Sequence, residues 1–213
     1  PDQSPEEALA DIQTACQQKV NHISYYQLTL EPNTVFHRYP PRLPSEDINW
    51  EIQVNGLQIL EAADFQRYEV SAFAHTNSQC VHNTNYWQYG DYLGIGAGAH
   101  SKITTHEGVL RNQRTRQPDS YIQAVFEQSH VLQQHFVASD QLIFEFMLNN
   151  LRLTEGFTTD LFSRTTGLDW SHVEPLVNVQ IAEGLMERVN DRYRASAHGY
   201  QYLDELTQRF LPD

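Results

Sequence analysis

The amino-acid sequence predicts an α/β protein followed by a mainly helical domain, and three observations support this class. Before about residue 75, apolar residues at helical spacing alternate with short runs rich in aromatic and β-branched side chains. Proline and other turn-forming residues separate these segments. After Pro118 the helical pattern dominates, and the chain ends in a hairpin pattern and a final helix. We therefore expect two domains, residues 1–117 and residues 118–213.

The predicted elements of the first domain begin with a helix. Ser4-Pro5-Glu6-Glu7 has the order of a capping box with proline at the first helical position, so a helix should run from residue 5 to about residue 19. His22–Leu30 has the composition of a strand, Ser45 should cap a second helix, and Arg67–Phe73 should form another strand. This alternation is typical of βα units, in which helices join parallel strands, so we expect a parallel sheet.

A glycine-rich segment and a polar segment complete the first domain. Leu93–Ala99 alternates large side chains with glycine, which predicts a third strand that another backbone or a flat ligand can approach closely. Glu107–Gln117 is polar and contains three arginines, as is typical of a loop or a sheet edge.

The second domain has a pattern that resembles a winged-helix arrangement. Its predicted elements are helices over residues 119–129, 139–151, 159–166 and 169–183, a hairpin that turns at Asn190-Asp191, and a last helix from about Ser196 to Leu211. A winged helix can bind DNA, but the helix over residues 169–183 contains acidic residues and no lysine or arginine. Because DNA phosphates would repel this helix, we expect a packing or lid domain.

Composition and charge disfavour several classes of function. The chain of 213 residues carries 14 Lys and Arg against 27 Asp and Glu, and the formal net charge of −13 disfavours nucleic acid as a partner. Its two cysteines are too few for a disulfide framework, which indicates a reducing, cytoplasmic location. No apolar run approaches the roughly 20 residues of a membrane span. Because the chain starts at Pro1 rather than at a methionine, we expect a processed chain or a fragment.

The stretch HNTNYWQYGDYLGIGAGAH, residues 82–100, is the main candidate binding site. It combines histidine and four aromatic residues with three alternating glycines, Gly94, Gly96 and Gly98. These glycines do not match the dinucleotide-binding fingerprint, whose third glycine comes one position later. One histidine can bind haem iron axially, and neighbouring aromatic rings can form the flat apolar walls of a porphyrin pocket.

Two alternatives stay open from the residues alone. One is a zinc site, although structural zinc sites usually have closer paired spacing of their ligands. The potential zinc ligands are His75, Cys80, His82 and His100. The other alternative is a hydrogen-bonded corner, in which His82 and Asn83 satisfy backbone groups and the Tyr86-Trp87 pair fills the core.

The motifs resemble those of a known family. HNTNYW, followed by DYLGIGAGAHS and preceded by RYEVSAFA and SYYQLTLEPNT, resembles the C-terminal part of the oxygen-independent coproporphyrinogen III oxidase-like family, most closely its haem chaperone branch. The resemblance covers the whole chain. It implies the last elements of a partial (β/α) barrel of the radical S-adenosylmethionine superfamily, followed by the winged-helix-like domain. The residues that it implies as cofactor-binding are His82, as the ligand of the haem iron, and Asn83, Tyr86, Trp87, Gly94, Gly96 and Gly98.

The resemblance also implies cofactors that this chain does not hold. Members of the family bind a [4Fe–4S] cluster on a C-x-x-x-C-x-x-C loop, and S-adenosylmethionine caps the open iron of that cluster. Nothing in this chain matches the loop, and Cys16 and Cys80 cannot supply the three thiolates that the cluster requires. We therefore expect the cluster and S-adenosylmethionine in an intact parent protein and no catalytic residues in this chain.

The leading prediction is a haem-binding chaperone that delivers haem to acceptor proteins, among them a membrane-associated acceptor. The chaperone itself has no predicted membrane segment. The alternative is the oxidase of the same family, which decarboxylates two propionates of coproporphyrinogen III, so the sequence leaves open whether the parent is an enzyme. A third interpretation is a structural dimer or interaction module. A cut barrel would leave an unpaired strand edge at HISYYQLTL, which predicts homo-oligomers or aggregates.

Overall fold

The computed structural model describes residues 1–212, which divide into two compact units. The first unit is Pro1–Cys80, and the second begins at Val81. The sequence places a domain boundary between residues 117 and 118 instead. A division by compactness does not test where one family domain ends and the next begins, so that boundary stays a prediction.

Two helices of the first unit begin at capping residues that the sequence identifies. The unit contains the helices α1 (Pro5–Gln17), α2 (Val35–Arg38) and α3 (Glu46–Ala62), and the two that begin at these capping residues are α1 and α3. The Ser4 hydroxyl accepts a hydrogen bond from the Glu7 N–H, and the Glu7 carboxylate accepts one from the Ser4 N–H, so the capping box is confirmed. The Ser45 hydroxyl accepts a hydrogen bond from the Ile48 N–H in the same way.

The sheet of the first unit is antiparallel, so the predicted parallel sheet is wrong for its strands. These are β1 (His22–Ser24), β2 (Gln66–Glu69) and β3 (Ala72–Ala74), in the order β1-β3-β2. The predicted strand Arg67–Phe73 is a hairpin, because the chain reverses and the Arg67 guanidinium donates hydrogen bonds to the Val70 carbonyl inside the turn. The predicted strand His22–Leu30 ends at Ser24.

Helices α1 and α3 pack on this sheet through a small apolar core. Ile12 of α1, Leu60 of α3 and Phe73 of β3 are buried together, with Phe65 beside them. Helices α1 and α3 thus bury the apolar faces that their sequence period predicts, whereas α2 buries none of its residues.

The second unit starts with a helix and a three-stranded antiparallel sheet. Its elements are α4 (Val81–Trp87), β4 (His100–Thr105), β5 (Gly108–Arg114), α5 (Pro118–Phe126) and β6 (Val131–Phe136), and the strand order is β4-β5-β6. Most of the polar segment that was predicted as a loop or a sheet edge is therefore the central strand of this sheet.

Leu93–Ala99 is a loop, so the predicted third strand is wrong. Gly96 and Gly98 have φ angles of +101° and +72°, which an extended strand does not contain. Leu93 and Ile95 are 73% and 88% exposed, whereas packing in a barrel would have buried them.

The remaining elements confirm the winged-helix-like arrangement. They are α6 (Ser139–Asn150), β7 (Phe157–Thr158), α7 (Thr159–Thr166), a 3₁₀ turn (Trp170–His172), α8 (Glu174–Ala182), β8 (Met186–Val189), β9 (Arg192–Ala195), α9 (Ala197–Gln201) and α10 (Leu203–Gln208). Strands β8 and β9 form the hairpin predicted at Asn190-Asp191, and β7 pairs with β9, so the sheet order is β7-β9-β8. The predicted helix over residues 169–183 is divided into the 3₁₀ turn and α8, and the predicted last helix is divided into α9 and α10.

One apolar core extends through most of the second unit. Phe146 of α6 packs edge to face against Phe157 and Phe162, with ring centroids 4.9 and 5.0 Å away. Tyr89, just after α4, and Val109 of β5 belong to the same buried cluster. The segment after α4 and the β4-β5-β6 sheet therefore share the core of the winged-helix-like part.

Candidate functional site

The HNTNYW motif lies on α4, and the helical period decides which of its side chains share a face. His82 and Tyr86 are four residues apart and lie on one face, whereas Asn83 and Trp87 lie on the next. His82 is exposed, and Tyr86 is 36% exposed. Asn83 and Trp87 are half-buried. The helix thus presents His82 and Tyr86 at the surface and turns the other two residues inwards.

The end of α4 is fixed by a tight turn. Tyr89 is fully buried with a left-handed φ of +58°. The Gly90 N–H donates to the Asn85 carbonyl at 2.8 Å, and the Asn85 side chain donates to the Asp91 carbonyl at 3.0 Å. A Cβ atom at Gly90 would lie 2.2 Å from the Asn85 side-chain oxygen, so only glycine fits there. This turn sets where the helix stops relative to the core.

The aromatic residues of the motif pack on one another rather than forming two open walls. The Tyr86 ring lies 5.1 Å from the Trp87 ring and 5.3 Å from the Tyr92 ring, measured between centroids. The Arg152 guanidinium lies over the Trp87 ring at 4.2 Å. The buried Trp87 indole N–H has no hydrogen-bond acceptor among residues 1–212. Tyr86 is the most exposed ring of this cluster and the one best placed to meet a ligand.

The three glycines lie in the loop that follows this cluster. At Gly94 a Cβ atom would lie 2.2 Å from the His100 carbonyl oxygen, and the Gly94 N–H donates to the Ser101 hydroxyl at 2.8 Å. The close approach that this glycine permits is therefore taken by the chain itself. Gly96 has open space around it, and Gly98 lies beside the backbone of Arg116.

A network of charged and aromatic side chains contacts the motif through the Tyr92 ring, which packs against Tyr86. One Glu145 carboxylate oxygen accepts hydrogen bonds from the Tyr89 hydroxyl at 2.7 Å and from the Arg111 guanidinium at 2.6 Å. Arg111 also donates to the Tyr92 hydroxyl at 2.7 Å. Sequence reasoning missed Glu145, because it lies in an ordinary helical pattern far along the chain from the motif.

The pKa values of this network are shifted by burial and by its ion pair. Burial, and then the neighbouring Glu145 carboxylate, raises the pKa of the Tyr89 hydroxyl well above its ordinary value. Burial also raises the pKa of Tyr92. Burial opposes the charge of Arg111, but the hydrogen bond and ion pair with Glu145 outweigh it and raise its pKa. Both tyrosines are therefore neutral donors or acceptors near neutral pH, and Arg111 is charged.

A second ion pair anchors the chain just after Tyr89. Lys102 Nζ lies 3.0 Å from the Asp91 carboxylate and 4.2 Å from the centre of the Tyr89 ring. Asp91 also accepts hydrogen bonds from the N–H and the hydroxyl of Thr104. Burial opposes the ionisation of Asp91, but the bonds from Thr104 and Lys102 hold its pKa below the usual value. Burial, offset in part by Asp91, lowers the pKa of Lys102.

The described residues do not form a metal cage. No group of three His, Cys, Asp or Glu side chains within residues 1–212 is arranged to hold a metal ion, so the zinc alternative finds no support. Cys16 and Cys80 are free, half-buried cysteines. Two thiolates do not fit a [4Fe–4S] cluster, which needs at least three, whereas an axial haem ligand requires only one histidine.

Two further expectations concern DNA and membranes. Helix α8, which corresponds to the recognition helix of a winged helix, contains Glu174 and no lysine or arginine, as the sequence indicates. No helix within residues 1–212 combines the length and apolar character that crossing a membrane requires.

Comparison with known proteins defines the class of protein first. Residues 137–202, from just before α6 to just after α9, match the family described as the HemN C-terminal domain. The fold of 99% of this chain matches 52% of the coproporphyrinogen III oxidase HemN from Escherichia coli, described as a radical SAM enzyme, with a TM-score of 0.74 and 16% sequence identity. The C-terminal part of the chain thus matches a HemN-type domain, and the whole chain has the fold of about half of HemN.

Over its whole length the chain resembles the proteins named heme chaperone HemW. It is 42% identical to heme chaperone HemW of Escherichia coli (strain K12), over 100% of this chain and 56% of that protein. It is 39% identical to the HemW of Haemophilus influenzae, over 100% of this chain and 55% of that protein. The chain spans about half the length of these curated relatives. The resemblance inferred from HNTNYW and its flanking motifs is confirmed.

Proposed function

We propose that this chain carries the haem-binding site of a haem chaperone, with His82 as the axial ligand of the iron. The observation that carries the proposal is the place of His82, exposed on α4 one helical turn from Tyr86. A neutral imidazole is the commonest metal ligand and binds haem iron through one ring nitrogen. The similarity to proteins named heme chaperone HemW supports the same ligand class.

The surroundings of His82 suit a flat apolar ligand. Tyr86 offers an aromatic ring on the same face of α4 and packs against the Trp87 ring, which lies with Asn83 on the half-buried face. Leu93 and Ile95 are large apolar side chains left exposed in the following loop. Exposed apolar residues of this kind often mark a binding surface, and a porphyrin would cover them.

The exposure of the proposed ligand suits transfer rather than permanent binding. A haem bound to an exposed histidine can be reached by a ligand from another protein, so haem can pass to an acceptor without leaving protein contact. The [4Fe–4S] cluster and S-adenosylmethionine that the family implies would bind in a part of the full-length protein with more cysteines than this chain has. The proposed partners are therefore haem and a haem-accepting protein.

A haem titration followed by the Soret band tests this function. We expect saturable one-to-one binding by the unaltered chain and a much weaker, spectrally different complex with His82→Ala. Loss of a residue that only hydrogen-bonds to a metal ligand costs about 10–100-fold in metal affinity, so loss of the ligand itself should cost at least that much.

The matched control is His106→Ala. His106 is an exposed histidine in the β4–β5 turn of the same unit, with a side chain that is 91% exposed. It should bind haem as the unaltered chain does. Equal affinity and equal spectra for His82→Ala and the unaltered chain would mean that His82 is not the ligand.

A further inference from the structure

The carboxylate of Glu145 joins the winged-helix-like part of the molecule to the segment that carries the motif. Glu145 lies on α6, and its oxygen Oε2 accepts hydrogen bonds from Tyr89 and Arg111 at 2.7 and 2.6 Å. Its partners come from two separate elements, the turn after α4 and strand β5. One atom of α6 therefore fixes two neighbouring elements at once.

Both partners of Glu145 lead back to α4. Tyr89 is two residues beyond the end of the helix and is completely buried. Arg111 holds the Tyr92 hydroxyl at 2.7 Å, and the Tyr92 ring lies against Tyr86 at 5.3 Å. One route thus reaches the C-terminal end of α4, and the other reaches the face that carries His82 and Tyr86.

The environment makes these contacts hard to replace. The side chains of Arg111 and Glu145 are only 22% and 29% exposed, so water competes poorly for the ion pair. The hydroxyl of the buried Tyr89 donates to Glu145, and losing that acceptor would leave a polar group unsatisfied in an apolar core. Hydrogen bonds to a charged group are among the stronger ones in proteins.

We infer that Glu145 is a positioning residue for the haem site, holding α4 so that His82 and Tyr86 face a bound porphyrin. This inference rests on the proposed function, since it assigns a role at the same site. Glu145 does not touch haem itself. It acts through Tyr89 and through the Arg111–Tyr92 pair, and it makes the haem site depend on the packing of α6.

The test replaces Glu145 by glutamine, which keeps the size of the side chain and removes its charge. Amide hydrogen exchange without haem reports the first step, through the amides of Gln88 and Gly90 that close the end of α4. We expect these amides to exchange about tenfold faster in Glu145→Gln, because a neutral amide oxygen accepts these hydrogen bonds more weakly than the carboxylate does and cannot pair with the charge of Arg111. Haem affinity should fall about tenfold, as it does when other residues that orient a metal ligand are lost, and the Soret maximum should shift.

The matched control is Glu187→Gln. Glu187 pairs with Arg194 at 2.8 Å at a partly buried site in the β8–β9 hairpin of the same unit. Among the hydrogen bonds described for residues 1–212, none joins Glu187 to α4. This variant should leave both the exchange of α4 and the Soret band unchanged. If Glu145→Gln fails to fold, Tyr89→Phe removes one of the two bonds alone and should show the same direction of change.

The outcomes separate the two proposals. Unchanged exchange at Gln88 and Gly90 in Glu145→Gln overturns the inference, and so does faster exchange with an unaltered Soret band and haem affinity. A chain that binds no haem, or binds it equally with His82→Ala, overturns the proposed function. In that case faster exchange in Glu145→Gln would show that Glu145 holds α4, but a role at a haem site would be excluded.

Discussion

At the scale of single residues, the pair Asp91–Lys102 is asymmetric in its exposure to water. The side chain of Lys102 is 1% exposed and that of Asp91 is 46% exposed. Removal of either partner breaks the same ion pair, but only one of the two changes leaves a charge buried. The energetic cost should therefore depend on which partner is removed.

We predict that Asp91→Asn destabilises the protein far more than Lys102→Met. The first change leaves a buried ammonium without its carboxylate and should cost about 3 kcal/mol. The second leaves a half-exposed carboxylate that keeps its bonds from Thr104, and should cost about 1 kcal/mol or less. Chemical denaturation at neutral pH measures both values. Equal costs would mean that Lys102 is not desolvated as its burial implies.

The same pair should contribute to acid sensitivity. The pKa of Asp91 is lower in the folded than in the unfolded chain, so its contribution is present above the unfolded pKa of about 3.9 and is lost as pH falls through the folded value. Between pH ~7 and pH ~3, the unaltered chain should lose more stability than Asp91→Asn does. Parallel pH slopes for the two proteins would contradict this.

Among the candidate site residues, the sequence identifies those that belong to a compact motif. His82, Asn83, Tyr86 and Trp87 are close in the chain, and the helical period then separates an outer pair from an inner pair. Glu145 could not be found in this way. Its role depends on α6 packing beside α4, which no local pattern in the sequence contains.

At the scale of elements, the sequence predicts strongly capped and turn-defined segments best. The capping box of α1 and the hairpin at Asn190-Asp191 are both confirmed. The sequence predicts one strand over Arg67–Phe73, where the structure has a hairpin, because the composition is strand-like and no glycine or proline marks the reversal. The strand predicted over Leu93–Ala99 is wrong for a different reason. Its alternating glycines resemble strand periodicity, but Gly96 and Gly98 adopt positive φ angles.

The junction between α6 and β7 depends on a glycine that only the structure reveals. Gly156 has φ +67°, and a Cβ atom there would lie 2.1 Å from the Tyr193 carbonyl oxygen on β9. Gly167 ends α7 with φ +75° but has open space around it. The two glycines thus share a backbone conformation and differ in packing.

We predict that Gly156→Ala destabilises the second unit by about 3 kcal/mol, from left-handed strain together with overpacking against β9. Gly167→Ala carries the strain alone and should cost about 1 kcal/mol. Thermal unfolding of the two variants side by side measures the difference. Equal shifts in melting temperature would show that β9 moves aside without cost.

At the scale of the whole molecule, the two compact units differ in the size of their cores. The first unit buries a small cluster around Leu60, whereas the cluster around Phe146 extends from Tyr89 to Phe210. Large apolar side chains in the first unit, among them Tyr26 and Trp50, are exposed. Regions with few buried apolar contacts open more readily.

Limited digestion with trypsin should therefore cut the first unit before the second. We expect early cleavage at Arg38 and Arg42, both exposed, and a longer-lived fragment that contains residues 81–213. Arg116 is the internal comparison, because it is also exposed but lies in the second unit. Mass spectrometry of the first fragments reports the order. Cleavage at Arg116 before Arg38 would contradict the ranking of the two cores.

The core that Tyr89 and Val109 share with the winged-helix-like part has a consequence for protein engineering. In a chimera that exchanges only residues 118–213 between relatives, Tyr89 and Val109 would lose the side chains against which they pack. It would also pair the Glu145 of one protein with the Arg111 of another. The portable module of this chain begins at Val81, so the motif and the C-terminal domain should be transplanted together or not at all.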